Sequence, residues 1–172
     1  MKDLFSYRLL SFLFSMHILM LFPFTVAAQS VTVSLTIPTQ QQIFDVSDID
    51  FGSYTGSGNP SEKRSVCIRN NTATGYYNIS AKGSGTSDAF TVTNGSNPIA
   101  YKVYWYDNND SRKDTISSPN STLSNRIGAT IAETCSSGNA SIEIEFQKSA
   151  LMQAPAGYYS GTIHLMLSPP SS

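Results

Sequence analysis

The stretch IAYKVYWY at residues 99–106 alternates at a period of two, which is the period of a β-strand. Its odd-numbered residues, ending in Trp105, would lie on one face, and its even-numbered residues, ending in Tyr106, on the other. Similar alternation recurs at residues 77–81, 141–147 and 159–167. Short strands separated by Gly- and Asn-rich turns predict an all-β fold, and a two-sheet sandwich is favoured over a barrel.

Composition limits the classes of protein to which the chain can belong. The 172 residues include 11 Lys and Arg against 12 Asp and Glu, and only 13% are charged, compared with about 25% in ordinary soluble domains. This balance provides no basic surface for nucleic acid. The length predicts one domain. Residues 107–129 are polar and weakly patterned, so we expect a long loop or irregular crossing there.

Residues 1–28 have the features of an export signal. Lys2 and Arg8 precede the apolar run at 9–22, and Val26-Ala27-Ala28 provides small residues for cleavage. A membrane anchor is the alternative, but two serines and a histidine interrupt the run and Pro23 follows it. We therefore expect an exported protein that passes through the periplasm and ends at the cell surface or outside the cell.

Cys67 and Cys135 are the only cysteines. In an exported protein a lone pair most often forms a disulfide, and two free buried thiols are the alternative. Zinc is disfavoured because neither cysteine has a second cysteine near it in the sequence.

Residues 29–42 form a segment separate from the predicted domain at 43–172. Residues 30–37 alternate cleanly before Pro38, and residues 40–42 are three glutamines typical of a polar hinge. The segment is either the first strand of its own domain or a donor strand that enters another subunit. The apolar face of this predicted donor strand consists of Val31, Val33, Leu35 and Ile37.

The C-terminal strand predicts a matching acceptor. Its apolar face consists of Tyr159, Gly161, Ile163, Leu165 and Leu167, and no charged residue occurs between Tyr158 and Ser168. Exposed edges are normally blunted by charge, proline or a covering element. A free strand at one end and an uncovered edge at the other allow head-to-tail addition into a fibre.

Several sequence segments within residues 43–167 occur in the same order as in the spore coat protein U domain family. Within that family, the chain resembles the pilin subunits of archaic, Csu-type chaperone–usher pili. The resemblance rests on residues 50–54, 66–68, 75–79, 100–107 and 156–163. It implies an incomplete immunoglobulin-like sandwich that lacks its last strand. One departure is the tail at residues 168–172, which extends past the final strand.

The resemblance also implies partners and a role. The C-terminal strand would be held by a periplasmic chaperone, and an outer-membrane usher would exchange that chaperone for the donor strand of the next pilin. A single domain implies a minor or shaft subunit of a pilus that supports surface attachment and biofilm formation.

Little in the sequence indicates catalysis, and we expect no enzyme activity, metal or cofactor. His164 has no triad partner in local register. The acidic pairs Asp48/Asp50 and Glu143/Glu145 each share one strand face, for which a solvated surface is favoured over a hydrolase site. The remaining alternative is a self-contained secreted coat or carbohydrate-binding module, suggested by the aromatic strand at 101–106.

Overall fold

A computed structural model describes residues 32–107, 110–130 and 138–170. The predicted export signal at 1–28, Val31 and Cys135 lie outside these residues. Contacts divide the protein into residues 1–36 and 37–172, and every described element belongs to the second unit. These elements are β1 (Gln41–Phe44), β2 (Ser61–Asn70), β3 (Tyr76–Gly83), β4 (Thr91–Asn94), β5 (Asn97–Asp107), β6 (Arg112–Ile116), β7 (Thr122–Ile127), β8 (Ala129–Thr130), β9 (Ala140–Phe146), α1 (Lys148–Gln153) and β10 (Ile163–Ser168), with a 3-10 turn at Thr86–Asp88.

The strands form two sheets. The larger has the order β1-β2-β9-β5-β4, with β6 also paired to β5 and β8 added in parallel to β2, and the smaller has the order β10-β3-β7. Buried side chains from both sheets form one core, including those of Val66, Ile68, Tyr77, Ile79, Val103, Trp105, Ile116, Ile142 and Ile144. The predicted all-β, immunoglobulin-like sandwich is therefore confirmed.

The aromatic strand β5 supplies the centre of this core. Ile99, Val103 and Trp105 are buried while Ala100 and Lys102 are exposed, as the period of two predicts. The Trp105 indole Nε1 donates a hydrogen bond of 2.9 Å to the Tyr77 hydroxyl on the opposite sheet. Burial raises the pKa of Tyr77. The indole thus links the sheets while keeping its only donor satisfied.

The expectation of a loop at 107–129 was wrong, because this region contains β6, β7 and the start of β8. Three of its charged residues, Asp107, Asp114 and Arg126, are paired across the sandwich. Asp107 and Arg126 are almost completely buried, with Oδ1 and Nη1 3.4 Å apart, and Asp107 Oδ2 accepts the Ile127 N–H at 2.9 Å. Arg126 also pairs with Asp114, which lowers the pKa of Asp114. Ion pairing between sheets therefore replaces the apolar pattern that would have indicated strands.

Two short elements also differ from the sequence predictions. Helix α1 follows β9, although helical spacing is not evident in the sequence. Gln41 and Gln42 pair with Asn70 and Arg69 in the β1–β2 ladder, so only Gln40 remains of the predicted glutamine hinge. No helix among the described residues is long and apolar enough to cross a membrane.

We expect Arg126→Met to lower the free energy of unfolding by about 3–5 kcal/mol, because the buried Asp107 carboxylate would lose its cation. Arg112→Met is the matched control, since Arg112 is exposed and its ion pair with Asp114 contributes at most about 1 kcal/mol. Chemical denaturation at neutral pH measures both. Equal losses in the two variants would contradict a stabilising role specific to the buried pair.

Candidate functional site

Strand β10 is an edge strand of the smaller sheet. It pairs antiparallel with β3 from Ile163↔Gly83 to Ser168↔Asn78, and no described strand pairs with its other side. Because an antiparallel strand directs alternate main-chain groups to each side, that other side has unpaired N–H and C=O groups. The edge is therefore able to accept a further strand.

The inward side chains of β10 are only half covered. Ile163, Leu165 and Leu167 are half-buried and pack against the core, while His164 and Met166 between them are exposed. This is the alternation predicted from the sequence. Ile79 and Ala81 on the neighbouring strand β3 are fully buried, so the incomplete cover is specific to the edge.

The other border of this region is β1, at the edge of the larger sheet. β1 pairs with β2, and its Ile43 is half-buried against the core. β1 and β10 lie close to each other, yet no ladder joins them in the described part of the chain. We call the gap between β1 and β10 the open seam. The opposite side of the sandwich is held by the Asp107–Arg126 pair between β5 and β7.

Tyr159 and Gly161 precede β10 instead of lying on it. Ser160 forms a two-bond bridge with Thr93 of β4, with N–O distances of 2.9 and 3.1 Å. A Cβ at Gly161 would lie 2.7 Å from the Thr91 carbonyl oxygen, so glycine permits the close crossing. The Tyr159 hydroxyl donates to the Pro155 carbonyl at 2.9 Å. Tyr159 and Gly161 therefore belong to the segment that passes beside β4 before the chain enters β10.

The predicted donor segment has exposed apolar side chains. Val33, Leu35 and Ile37 are 88%, 85% and 73% exposed, and residues 32–40 have no regular secondary structure. Val31 lies outside the described residues. Three large apolar side chains exposed at every second position make an apolar strip, in contrast to the single exposed residues that are common on protein surfaces.

Asn71 anchors the residues that connect this segment to β1, and its importance is not evident from the sequence, where Asn70-Asn71 indicates only a turn. Its side-chain Oδ1 accepts the Gln40 N–H at 2.7 Å, its Nδ2 donates to the Pro38 carbonyl at 2.8 Å, and its own N–H donates to the Gln40 carbonyl at 3.2 Å. The connector, residues 37–40, is thereby attached to the end of β2.

Cys67 is fully buried in β2, and the described residues contain no free cysteine. Because Cys135 lies outside them, the Cys67–Cys135 pairing stays a prediction.

The predicted solvated acidic face is wrong at Glu143, which is only 8% exposed. Its carboxylate accepts hydrogen bonds from Ser61 Oγ at 2.9 Å, from Lys113 Nζ at 3.0 Å and from the Tyr106 hydroxyl. Burial raises the pKa of Glu143, but these three donors outweigh it and hold the pKa below its ordinary value. Glu143 is thus a satisfied structural carboxylate. Among the described residues, no group of three potential metal ligands is present.

The aromatic strand does not offer an open platform. Tyr101 stacks on Phe90 with ring centroids 5.9 Å apart, and burial raises the pKa of Tyr101 to about 12. Trp105 is fully buried. The outward rings of Tyr104 and Tyr106 are each covered by a lysine Nζ 3.9 Å from the ring centroid, that of Lys113 and Lys63 respectively. Each cation–π contact covers one face of its ring, and a sugar could not stack on that face without displacing the lysine.

Comparison with solved structures finds a similar fold. A chain in a structure described as a chaperone–tip adhesin complex, vital for synergistic activation of CFA/I fimbriae biogenesis, has a TM-score of 0.51 and 17% sequence identity. The match covers 76% of this chain and 43% of that chain, so this protein corresponds to less than half of its neighbour. At this identity the likeness establishes the fold alone. No family model and no curated protein matches the sequence.

We expect Glu143→Gln to lower the free energy of unfolding at pH 7 by about 1–3 kcal/mol, because charge-assisted hydrogen bonds are lost. Because the pKa of Glu143 is lowered in the folded state, its ionised carboxylate stabilises the fold at pH values above the ordinary glutamate pKa. This stabilisation disappears as the pH falls through the lowered pKa. The deficit of the variant should therefore shrink below about pH 4.

Glu145→Gln is the control on the same face. Its ion pair with Lys102 is 3.9 Å long, and we expect a change below about 1 kcal/mol. Urea denaturation between about pH 3 and 7 measures both variants. A deficit at Glu143 that did not change with pH would contradict the charge-assisted explanation.

Proposed function

We propose that this protein is a structural subunit, minor or shaft, of a chaperone–usher pilus and that it polymerises by donor-strand exchange. The observation that carries this proposal is the open seam, where β10 has a main-chain edge with which no described strand pairs and half-covered side chains at Ile163, Leu165 and Leu167. The fold shared with a chain of a fimbrial chaperone–adhesin complex supports it.

The chain contains a segment suited to the seam. Residues 30–37 place Val31, Val33, Leu35 and Ile37 at every second position, which is the spacing of side chains along one strand face. A strand added at β10 gains main-chain hydrogen bonds and buries alternate apolar side chains. Each fully buried aliphatic side chain contributes about 1.5–3 kcal/mol, which offsets the entropy lost by ordering the strand.

This mechanism requires helpers before assembly. An uncovered apolar edge is an aggregation hazard, so a periplasmic chaperone would cover β10 after export. An outer-membrane usher would then exchange the chaperone for the donor segment of another subunit. The resulting head-to-tail polymer is a fibre at the cell surface, which serves attachment and biofilm formation. The subunit has no enzymatic role and takes no cofactor.

The alternative of a self-contained coat or carbohydrate-binding module has less support. It depends on an exposed aromatic surface, whereas Trp105 is buried and the rings of Tyr104 and Tyr106 are covered by lysines. It also leaves the apolar strip at Val33, Leu35 and Ile37 without a use.

We expect deletion of residues 29–38 to abolish fibre growth while leaving chaperone binding intact, because the acceptor edge remains and the donor is lost. Electron microscopy of cells expressing the variant measures fibres, and co-purification measures chaperone binding. Continued fibre growth would refute donor-strand exchange through this segment.

We expect Leu165→Lys to weaken capture of the donor segment about a hundredfold, because a charged group would replace an apolar contact in the seam. His164→Lys is the matched control, since the adjacent side chain faces solvent and should leave capture unchanged. Titration of each full-length mature subunit, refolded at high dilution, with a synthetic peptide of residues 29–38 gives the dissociation constants. Equal affinity of both variants would exclude β10 as the acceptor.

A further inference from the structure

The β1–β2 ladder continues past the end of both strands. Gln41 pairs with Asn70, and at the next step the Asn71 N–H donates to the Gln40 carbonyl at 3.2 Å. Beyond this point the backbone of β2 turns away through residues 71–74, so it cannot supply another rung.

The Asn71 side chain supplies that rung instead. In an extended strand, the carbonyl of one residue and the N–H of the residue two positions later point to the same side. The Asn71 amide binds such a pair, donating to the Pro38 carbonyl at 2.8 Å and accepting the Gln40 N–H at 2.7 Å. A side-chain amide has the same donor and acceptor as a peptide group. The connector is therefore held as a continuation of β1.

The turn that positions Asn71 is itself fixed. The buried Asn70 side chain accepts the Thr72 N–H at 3.0 Å and donates to the Gly75 carbonyl at 2.7 Å. Proline at position 38 has a restricted φ and disfavours the helical region at Ile37. Both sides of the Asn71 contact are thus preorganised.

This geometry determines whether residues 30–37 can enter the open seam of their own subunit or only that of another subunit. β1 is one border of the open seam in its own subunit, so a segment entering that seam must reverse direction immediately before β1. Only residues 38–40 lie between Ile37 and Gln41, and a reversal there would break the hydrogen bonds to Asn71. Because the connector continues β1, it opposes this reversal.

We infer that Asn71 is a specificity-determining residue that prevents insertion of residues 30–37 into the seam of their own subunit, so that the segment is available to a second copy of the chain. This inference rests on the proposed function and adds to it the reason for exchange between subunits. The preference for a second copy over the same subunit is thereby assigned to one side-chain amide, which lies outside both the donor segment and the acceptor strand.

The test compares the mature full-length chain with Asn71→Ala, which removes the amide but keeps the backbone N–H. Each protein is refolded without chaperone over a range of concentrations and examined by size-exclusion chromatography with light scattering. We expect concentration-dependent oligomers from the wild type and at least a tenfold larger monomer fraction from Asn71→Ala. Those monomers should bind a peptide of residues 29–38 at least tenfold more weakly than wild-type monomers isolated at high dilution, because their own segment fills the seam.

Thr74→Ala is the control in the same turn and should behave as the wild type. Thr74 is exposed, and its hydroxyl accepts the Tyr76 N–H at a long 3.5 Å, so its loss leaves the Asn71 contacts in place. Pro38→Gly loosens the connector without altering Asn71 and should raise the monomer fraction in the same direction, so the inference remains testable if Asn71→Ala misfolds.

The outcomes separate the inference from the function on which it rests. If the variants that fold form oligomers and bind the peptide as the wild type does, the inference is overturned and the proposed function stands. A wild-type chain that neither oligomerises nor binds the peptide would overturn the proposed function and the inference together.

Discussion

Main-chain groups at the border of a hydrophobic core need partners, and among the described strands β10 has a paired neighbour, β3, on one side only. The residues around this edge follow from that constraint. Ile163, Leu165 and Leu167 contribute to the core and are half covered, because the position next to them is not filled by a described strand. The apolar strip at Val33, Leu35 and Ile37 in the same chain is exposed to solvent, and burying it against another apolar surface would be favourable.

The two sides of the sandwich are stabilised by different kinds of interaction. Between β5 and β7, the buried Asp107 carboxylate joins the sheets by accepting one charge-assisted hydrogen bond from Arg126 and a second hydrogen bond from the Ile127 N–H. Between β1 and β10, apolar side chains face a gap in which the described part of the chain forms no ladder. Ion pairs require specific geometry, whereas apolar contacts tolerate rearrangement. One side can therefore remain fixed while the other accepts an additional strand.

Strands could be predicted from the sequence where buried and exposed side chains alternate regularly along one strand. The odd-numbered face of β5 and the alternation of β10 were predictable because apolar residues recur at every second position. β6 and β7 could not be predicted, since Arg126 is buried only through its pairing with Asp107, 19 residues away. Glu143 and Asn71 were missed for the same reason: their partners are remote in sequence, and neither residue type indicates which contact it will make.

The in-line attachment of the connector also has a mechanical consequence. Hydrogen bonds in an antiparallel ladder lie perpendicular to the strands. A force that pulls on Ile37 along the axis of β1 therefore loads the Asn71 contacts and the β1–β2 ladder in shear, with several bonds sharing the tension. The same bonds would rupture one after another if the chain left the domain at a right angle, so the direction of exit favours resistance to stretching.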